Sequence, residues 1–203
     1  IAAKQMATPR TVALVQTEDT HSLEAVLQVA EEGLLQAYYI GNRQVIHRVV
    51  AELGHSIDDD RIVDAESRAE AASTGVRLVR EGAADFPMKG NMETAELLKP
   101  VVNKETGLYE GGVISHLSVN EIPGYHKLLI TTDGGMLPYP TLEQKVSIIN
   151  NAVWVMNRLG NESPNVGVLA AVEKVNPKMP ETVEAAALKD MCASGVIKNC
   201  RVE

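Results

Sequence analysis

Aromatic residues are scarce in this sequence. Phe, Trp and Tyr make up 3% of its 203 residues, with a single Trp and a single Phe. A surface that stacks bases or sugars on aromatic rings would have few residues to use. Cysteine is nearly absent. Cys192 and Cys200 cannot build a disulfide framework, which points to a reducing, cytoplasmic compartment. Basic residues are outnumbered, with 19 Lys and Arg against 27 Asp and Glu, for a formal charge of −8. No basic block stands out, which argues against a nucleic-acid surface built on phosphate neutralisation. The apolar runs are strand-sized and interrupted by polar residues, so none predicts a bilayer span. His21, His47, His55 and His126 show no metal-ligand spacing, and no metal is expected. Internal repeats and low-complexity tracts are lacking too. The chain opens on Ile1, with no signal-peptide pattern to account for it, so a preceding segment is expected.

What is present is apolar and periodic. Hydrophobic residues make up 45% of the chain, which excludes disorder as its general state. The length suits one large α/β domain or two small ones. Residues 11–17 (TVALVQT) form a β-branched, buried strand. A helix follows over 21–35, with Leu23, Val26, Leu27, Ala30 and Leu34 on one stripe. A strand at 37–40 comes next, then a helix capped by Asn42 carrying Val45, Val49 and Leu53. A short strand at 61–64 precedes a helix capped by Ser67, with Ala72, Val76 and Val79 inward. Residues 84–88 are a fourth strand and 93–103 a further helix. This alternation predicts a mainly parallel sheet covered on both faces, a three-layer α/β/α arrangement.

Residues 104–112 (KETGLYEGG) interrupt the pattern and predict a hinge between two lobes, divided as 1–104 and 105–203. In the second lobe, 113–119 and 128–132 read as adjacent strands. Thr141 caps a long helix with Leu142, Val146, Ile149, Val153, Met156 and Leu159 on one stripe. A strand at 165–172, a helix at 181–193 and a last strand at 196–202 complete the reading.

Ligands of parallel sheets sit beyond the carboxyl ends of the strands. Lys89-Gly90-Asn91 is such a place: the amides of a helix start attract anions, and Lys89 adds a full charge. Thr94 could supply a hydroxyl and Lys99 a second cation. The same residues also suit an ordinary strand–helix turn with a solvated lysine. In the second lobe, Ser115 and His116 point to opposite faces of a strand, so they are not a dyad. His116 is a catalytic candidate or a hydrogen-bonded structural histidine. Asp133 follows Thr132 at a strand's end, beside Gly134 and Gly135, as a functional acid or a turn-former. In the proline-stiffened stretch 173–180, Lys174, Asn176 and Lys178 could face a phosphate or belong to a surface loop. Cys192 and Cys200 read as packed thiols rather than nucleophiles, and Met88, Met92 and Met136 as fillers of core gaps rather than the lining of an apolar pocket.

Six blocks, taken in order, carry a resemblance. They are MKG at 88–90, TAELLKPVVNKETGL at 94–108, SHLSV at 115–119, LLITTD at 128–133, YPTLEQKVSIINNAV at 139–153 and VEKVNPKMPETVEAAAL at 172–188. Together they resemble the phosphate acetyl/butyryltransferase family, the butyryl branch most closely, over essentially the whole chain. The resemblance implies a two-lobed fold related to isopropylmalate dehydrogenases, working in the cytoplasm as a homodimer or larger homo-oligomer. It implies transfer of a short acyl group between coenzyme A and inorganic phosphate. Coenzyme A is then a substrate, and no cofactor is held permanently.

By the same resemblance, Lys89, Gly90, Thr94 and Lys99 belong to a cleft wall in the first lobe. Ser115, His116, Thr132 and Asp133 face that cleft from the second, with His116 and Asp133 catalytic. Asn176 and Lys178 are expected to bind substrate. Lys99 stands where many relatives have Arg, which loses bidentate phosphate recognition. Family chains also continue past the position of Glu203 with a Ser-Arg motif and an Asp used at the reacting centre. A protein ending at Glu203 is therefore expected to be inactive. Two rival readings stand beside this one. A non-catalytic binder of coenzyme A or acyl phosphate is one. The other is an isopropylmalate-type dehydrogenase, for which Asp133 lacks the partner carboxylates of a metal site.

Overall fold

The first strand is where the sequence dictates most. In the computed structural model, which describes residues 8–203, β1 (Arg10–Val15) is buried from Val12 to Val15. Residues 1–7, Ile1 among them, lie outside the described part. β1 pairs in parallel with β2 (Leu35–Gly41) on one side and β4 (Phe86–Lys89) on the other; β3 (Ile62–Asp64) joins the far edge of β2. The order is β3-β2-β1-β4. β1 stops two residues short of its expected end, because Gln16 turns into the left-handed region at φ 58°. Thr17, fully buried, still donates its N–H and its hydroxyl to the Ile40 carbonyl, at 3.2 and 3.1 Å.

The helices begin where their caps say. In α1 (Thr20–Glu31), the Asp19 carboxylate accepts from the Ser22 amide. Asn42 caps α2 (Arg43–Glu52) and Ser67 caps α3 (Arg68–Arg80), each accepting from a first-turn amide. Glu93 and Glu96 form a capping box on α4 (Thr94–Val101). Helices α1 and α2 bury Leu23, Val26, Leu27, Ile46 and Val49 against Val12 and Leu14. On the other face, α3 buries Ala71, Ala72 and Leu78 against Ala13 and Val15. Residue 79, expected inward, is only half-buried, and Leu78 takes the inner place. Gly75 lets α3 sit this close: a Cβ there would lie 2.4 Å from a Val15 methyl. The three-layer arrangement thus holds for the first unit.

The chain divides after Glu110, within the glycine-rich stretch, and the second unit is Gly111–Glu203. Here several expectations are corrected. β5 (Leu117–Asn120) and β6 (Leu129–Thr132) are adjacent but antiparallel, so this ladder is not part of a parallel sheet. The strand expected over 165–172 shrinks to β7 (Asn165–Val166), and the one over 196–202 to β8 (Arg201–Val202). These two pair in parallel. Beyond them Leu169 is 92% exposed: an apolar run forms a strand only where a partner edge meets it. α5 (Leu142–Arg158), between β6 and β7 in the chain, starts at a Thr141–Gln144 capping box, and α6 (Pro180–Ala193), between β7 and β8, has its proline in the first turn. Ile149 and Val153 of α5 pack with Leu188, Ile197 and Val202. Leu159, expected on the α5 stripe, lies past the helix and is exposed.

Candidate functional site

In the first unit, the strand order itself marks a place. The chain runs outward from β1 to β2 and β3, then crosses back to lay β4 on the other side of β1. The crevice at this reversal is where open α/β sheets bind ligands. Gly90 lies there. It is buried, its N–H donates to the Val15 carbonyl at 2.7 Å, and the Asn91 amide donates to Gln16 O at 3.2 Å. A Cβ on Gly90 would stand 2.3 Å from that same Gln16 carbonyl, so only glycine fits.

Lys89 is exposed, yet its ammonium is engaged. It donates to the Met92 carbonyl at 2.7 Å and to the Gly90 carbonyl at 3.4 Å, holding the turn closed. Met92 is buried beneath it in the core. Thr94 opens α4 and Lys99 lies in its last turn, both exposed. Lys89 and Gly90 thus share the crevice, while Lys99 sits at the far end of the helix that leads away from it.

In the second unit, the β5–β6 ladder brings three candidates together. Leu117 pairs with Thr132, so His116 and Asp133 lie side by side just past the ladder. The Thr132 hydroxyl donates to the His116 carbonyl at 2.7 Å. The His116 Nδ1 lies 3.4 Å from where a Cβ of Gly134 would stand, so glycine leaves room for the ring. Asp133 Oδ1 accepts from the Gly135 and Met136 amides at 3.0 and 2.9 Å, a turn that fixes the carboxyl. Its Oδ2 is buried and accepts no hydrogen bond. Burial pushes the Asp133 carboxyl up, but the Gly135 and Met136 amides, helped by the nearby backbone and ring of His116, outweigh it. The net effect holds Asp133 below the usual carboxylate range.

Ser115 faces the other way. Asn151 on α5 donates to the Ser115 hydroxyl and to the Val113 carbonyl, both at 2.9 Å. With Ile114, Leu117, Trp154 and Val155, these two residues line an open groove of about 310 Å³. Sequence reasoning missed Asn151. The available signal was the Asn150-Asn151 pair, set in the middle of the apolar run from Ile148 to Val155 on α5.

Asn176 and Lys178 belong to the turn that precedes α6 in the second unit. Asn176 Oδ1 accepts from the Lys178 amide at 3.0 Å, and buried Thr182 takes the Asn176 N–H on its hydroxyl at 2.8 Å. This turn leads the chain into α6 and leaves the Lys178 side chain exposed. Among the described residues, no group of three or more His, Cys, Asp or Glu is placed to hold a metal ion, and no helix is long and apolar enough to cross a membrane.

Known proteins place these features in a family. The phosphate acetyl/butaryl transferase family model matches residues 66–199. The chain is 39% identical to the phosphate butyryltransferase of Clostridium acetobutylicum over 192 residues, covering 95% of this chain and 64% of that protein. To the phosphate acetyltransferase of Thermotoga maritima it is 40% identical, covering 95% and 65%. The chain thus spans less than two thirds of the length of these relatives. Among solved structures, a branched-chain phosphotransacylase from Enterococcus faecalis superposes with a TM-score of 0.76 at 26% identity, covering 95% of this chain and 67% of that one. A phosphotransacetylase from Streptococcus pyogenes shares the fold, with a TM-score of 0.77 at 16% identity over 98% and 69%. With the family model matched from just before α3 to the residues just before β8, about two thirds of the chain's length, this chain belongs to the phosphate acetyl/butaryl transferase family.

Proposed function

We propose that the protein moves a short acyl group between coenzyme A and inorganic phosphate, giving the acyl phosphate. The observation that carries this is the family match over 66–199, which takes in every candidate residue from Lys89 to Lys178. The names of the relatives, phosphate butyryltransferase and phosphate acetyltransferase, supply the reaction class. Coenzyme A is consumed as a substrate, and no permanently bound cofactor takes part. The protein works in the cytoplasm as a homodimer or larger homo-oligomer.

In the direction of acyl-CoA synthesis, the thiol loses its proton, the sulfur attacks the acyl-phosphate carbonyl, and the carbon–oxygen bond to phosphate breaks. His116 is the proton acceptor. Asp133, held ionised by the Gly135 and Met136 amides, is a weak base for a thiol, so its part is electrostatic. Its unpartnered Oδ2 balances the charge that the His116 ring gains with the proton. The Lys89 ammonium, which would have to leave its backbone carbonyls, draws the phosphoanion, with Lys99 adding positive charge from further along α4; Thr94, Ser115, Thr132, Asn176 and Lys178 position the substrates. Direct transfer forms no covalent enzyme intermediate, so no Ser-His-Asp set is needed.

The test is thiol release from butyryl-CoA in the presence of phosphate, with acyl phosphate measured in parallel on the full-length protein. His116→Ala is expected to lower kcat by about 10²–10⁴ with KM for phosphate little changed, the usual range for loss of a general base. No acyl phosphate from the unaltered protein would remove the activity altogether. A fully active His116→Ala variant would leave the activity and remove the assignment.

A further inference from the structure

The two cysteines meet at the far end of α6. Cys192 lies in the last turn of the helix and Cys200 directly precedes β8. The Cys192 thiol donates to the Cys200 carbonyl at 3.4 Å. Both residues are half-buried against the Ile149–Leu188–Ile197 cluster. The chain between them is pinned rather than loose. Gly195, at φ +80°, donates to the Cys192 carbonyl, and the Val196 and Ile197 amides both donate to Met191 O. Ile197 is buried, anchoring the middle of the loop. Asn199, left-handed at φ 59°, then turns the chain so that Cys200 comes back to the helix end. Both thiols thus lie against the same apolar cluster, where the end of α6 meets the start of β8.

We propose that Cys192 and Cys200 are a redox modification site, closed by hydroperoxides into an intrachain disulfide that staples α6 to β8. The reaction balances in two steps. Cys192 sulfur attacks hydrogen peroxide; the O–O bond breaks, a sulfenic acid forms on Cys192, and water leaves. Cys200 sulfur then attacks the sulfenic sulfur, its proton leaves with the departing hydroxyl as a second water, and the S–S bond forms. Two S–H bonds are lost, and the peroxide takes both electrons. Burial, together with the neighbouring Cys192 thiol, pushes the Cys200 thiol up to about 11, so Cys200 stays protonated at neutral pH. This assigns the first attack to Cys192 and the resolving step to Cys200. The site lies at the opposite end of α6 from the Asn176–Lys178 turn and does not depend on the acyl-transfer reading.

Peptide-resolved mass spectrometry tests it. The full-length protein is reduced, freed of reductant, treated at low micromolar concentration with graded hydrogen peroxide, alkylated and digested with trypsin. Cleavage after Lys189, Lys198 and Arg201 separates the cysteines into peptides 190–198 and 199–201. The expected product is the two peptides joined, lighter than their sum by two hydrogen atoms, absent before treatment and predominant after it. Cys200→Ser should abolish the linked product and leave a sulfenic acid on Cys192 that dimedone traps. Cys192→Ser should leave Cys200 largely alkylatable. Both cysteines still alkylated, separate oxidation to sulfinic acids, or linkage only between chains would each overturn the proposal.

Discussion

The two units of this chain use apolar residues in contrasting ways. In the first, four parallel strands have helices on both faces, and Val12, Leu14, Val15 and Ile40 lose all contact with solvent. In the second, the ladders are two to four residues long. Among the described residues, every strongly exposed large hydrophobic except Phe86 and Val102 lies in the second unit. The contrast teaches that the same β-branched composition yields a strand or a bare loop depending on whether a neighbouring edge is there to accept its hydrogen bonds.

The largest test of this contrast comes from core truncation. Trp154, the sole tryptophan, reports on the second unit alone, whereas far-UV circular dichroism reports on both. Leu14→Ala, at a fully buried site, should cost about 2–5 kcal/mol and lower the urea midpoint seen by circular dichroism. The Trp154 fluorescence transition should stay where it is. Leu188→Ala, also buried, should move the Trp154 transition by a similar amount. If either substitution shifts both signals together, the units unfold as one and the contrast loses its energetic meaning.

A smaller effect is expected at Gly90. Gly90→Ala forces a methyl onto the Gln16 carbonyl, which is backbone and cannot rotate away, and should cost about 1–3 kcal/mol by circular dichroism. An unchanged midpoint would mean that the β1–β4 crevice is looser than its contacts state.

A pH dependence follows from Asp133. Its carboxyl is held below the usual range, so its contribution to stability is present above the ordinary carboxylate value. That contribution is lost as pH falls through the lowered folded value. Urea melts of Asp133→Asn, followed by Trp154 between about pH 6 and pH 3, should therefore slope less with pH than those of the unaltered protein. Equal slopes would assign the acid sensitivity elsewhere. The smallest effect belongs to Leu169→Ser, at a nearly fully exposed site, which should stay within about 0.5 kcal/mol.

The first unit was legible because its signals agree. Asn42 and Ser67 mark helix starts, and the apolar strands β1 and β2 each have a partner on both sides. The second unit was legible at Thr141 and along α5, where a helix satisfies its own backbone. It was not legible at 165–172, because β8 offers only Arg201 and Val202 as ladder partners and sequence patterning carries no record of where an edge stops. At the candidate site, the residue types at 116 and 133 were readable from strand ends. Their adjacency was not, since it depends on the antiparallel register that sets Leu117 against Thr132. The Asn151 bond to Ser115 was hidden for the same reason, joining residues 36 apart.

The reversal of direction at β1 also has a kinetic side. Arg10 meets Leu35 across 25 residues of chain, whereas Val12 meets Phe86 across 74. Closing the longer loop costs about 1 kcal/mol more conformational entropy. During folding, the β1–β2 hinge of the sheet can assemble early, while β4 has to wait for a distant stretch of chain to return. The Gly90 turn, which rests on the carbonyls that end β1, is then among the last parts of the first unit to be completed. A binding crevice built there depends on the pairing that closes the longest loop of the sheet. In hydrogen exchange, the Gly90 amide should open at a lower free energy than those of Ala13 and Leu14, though all lie within a few residues of one another in space.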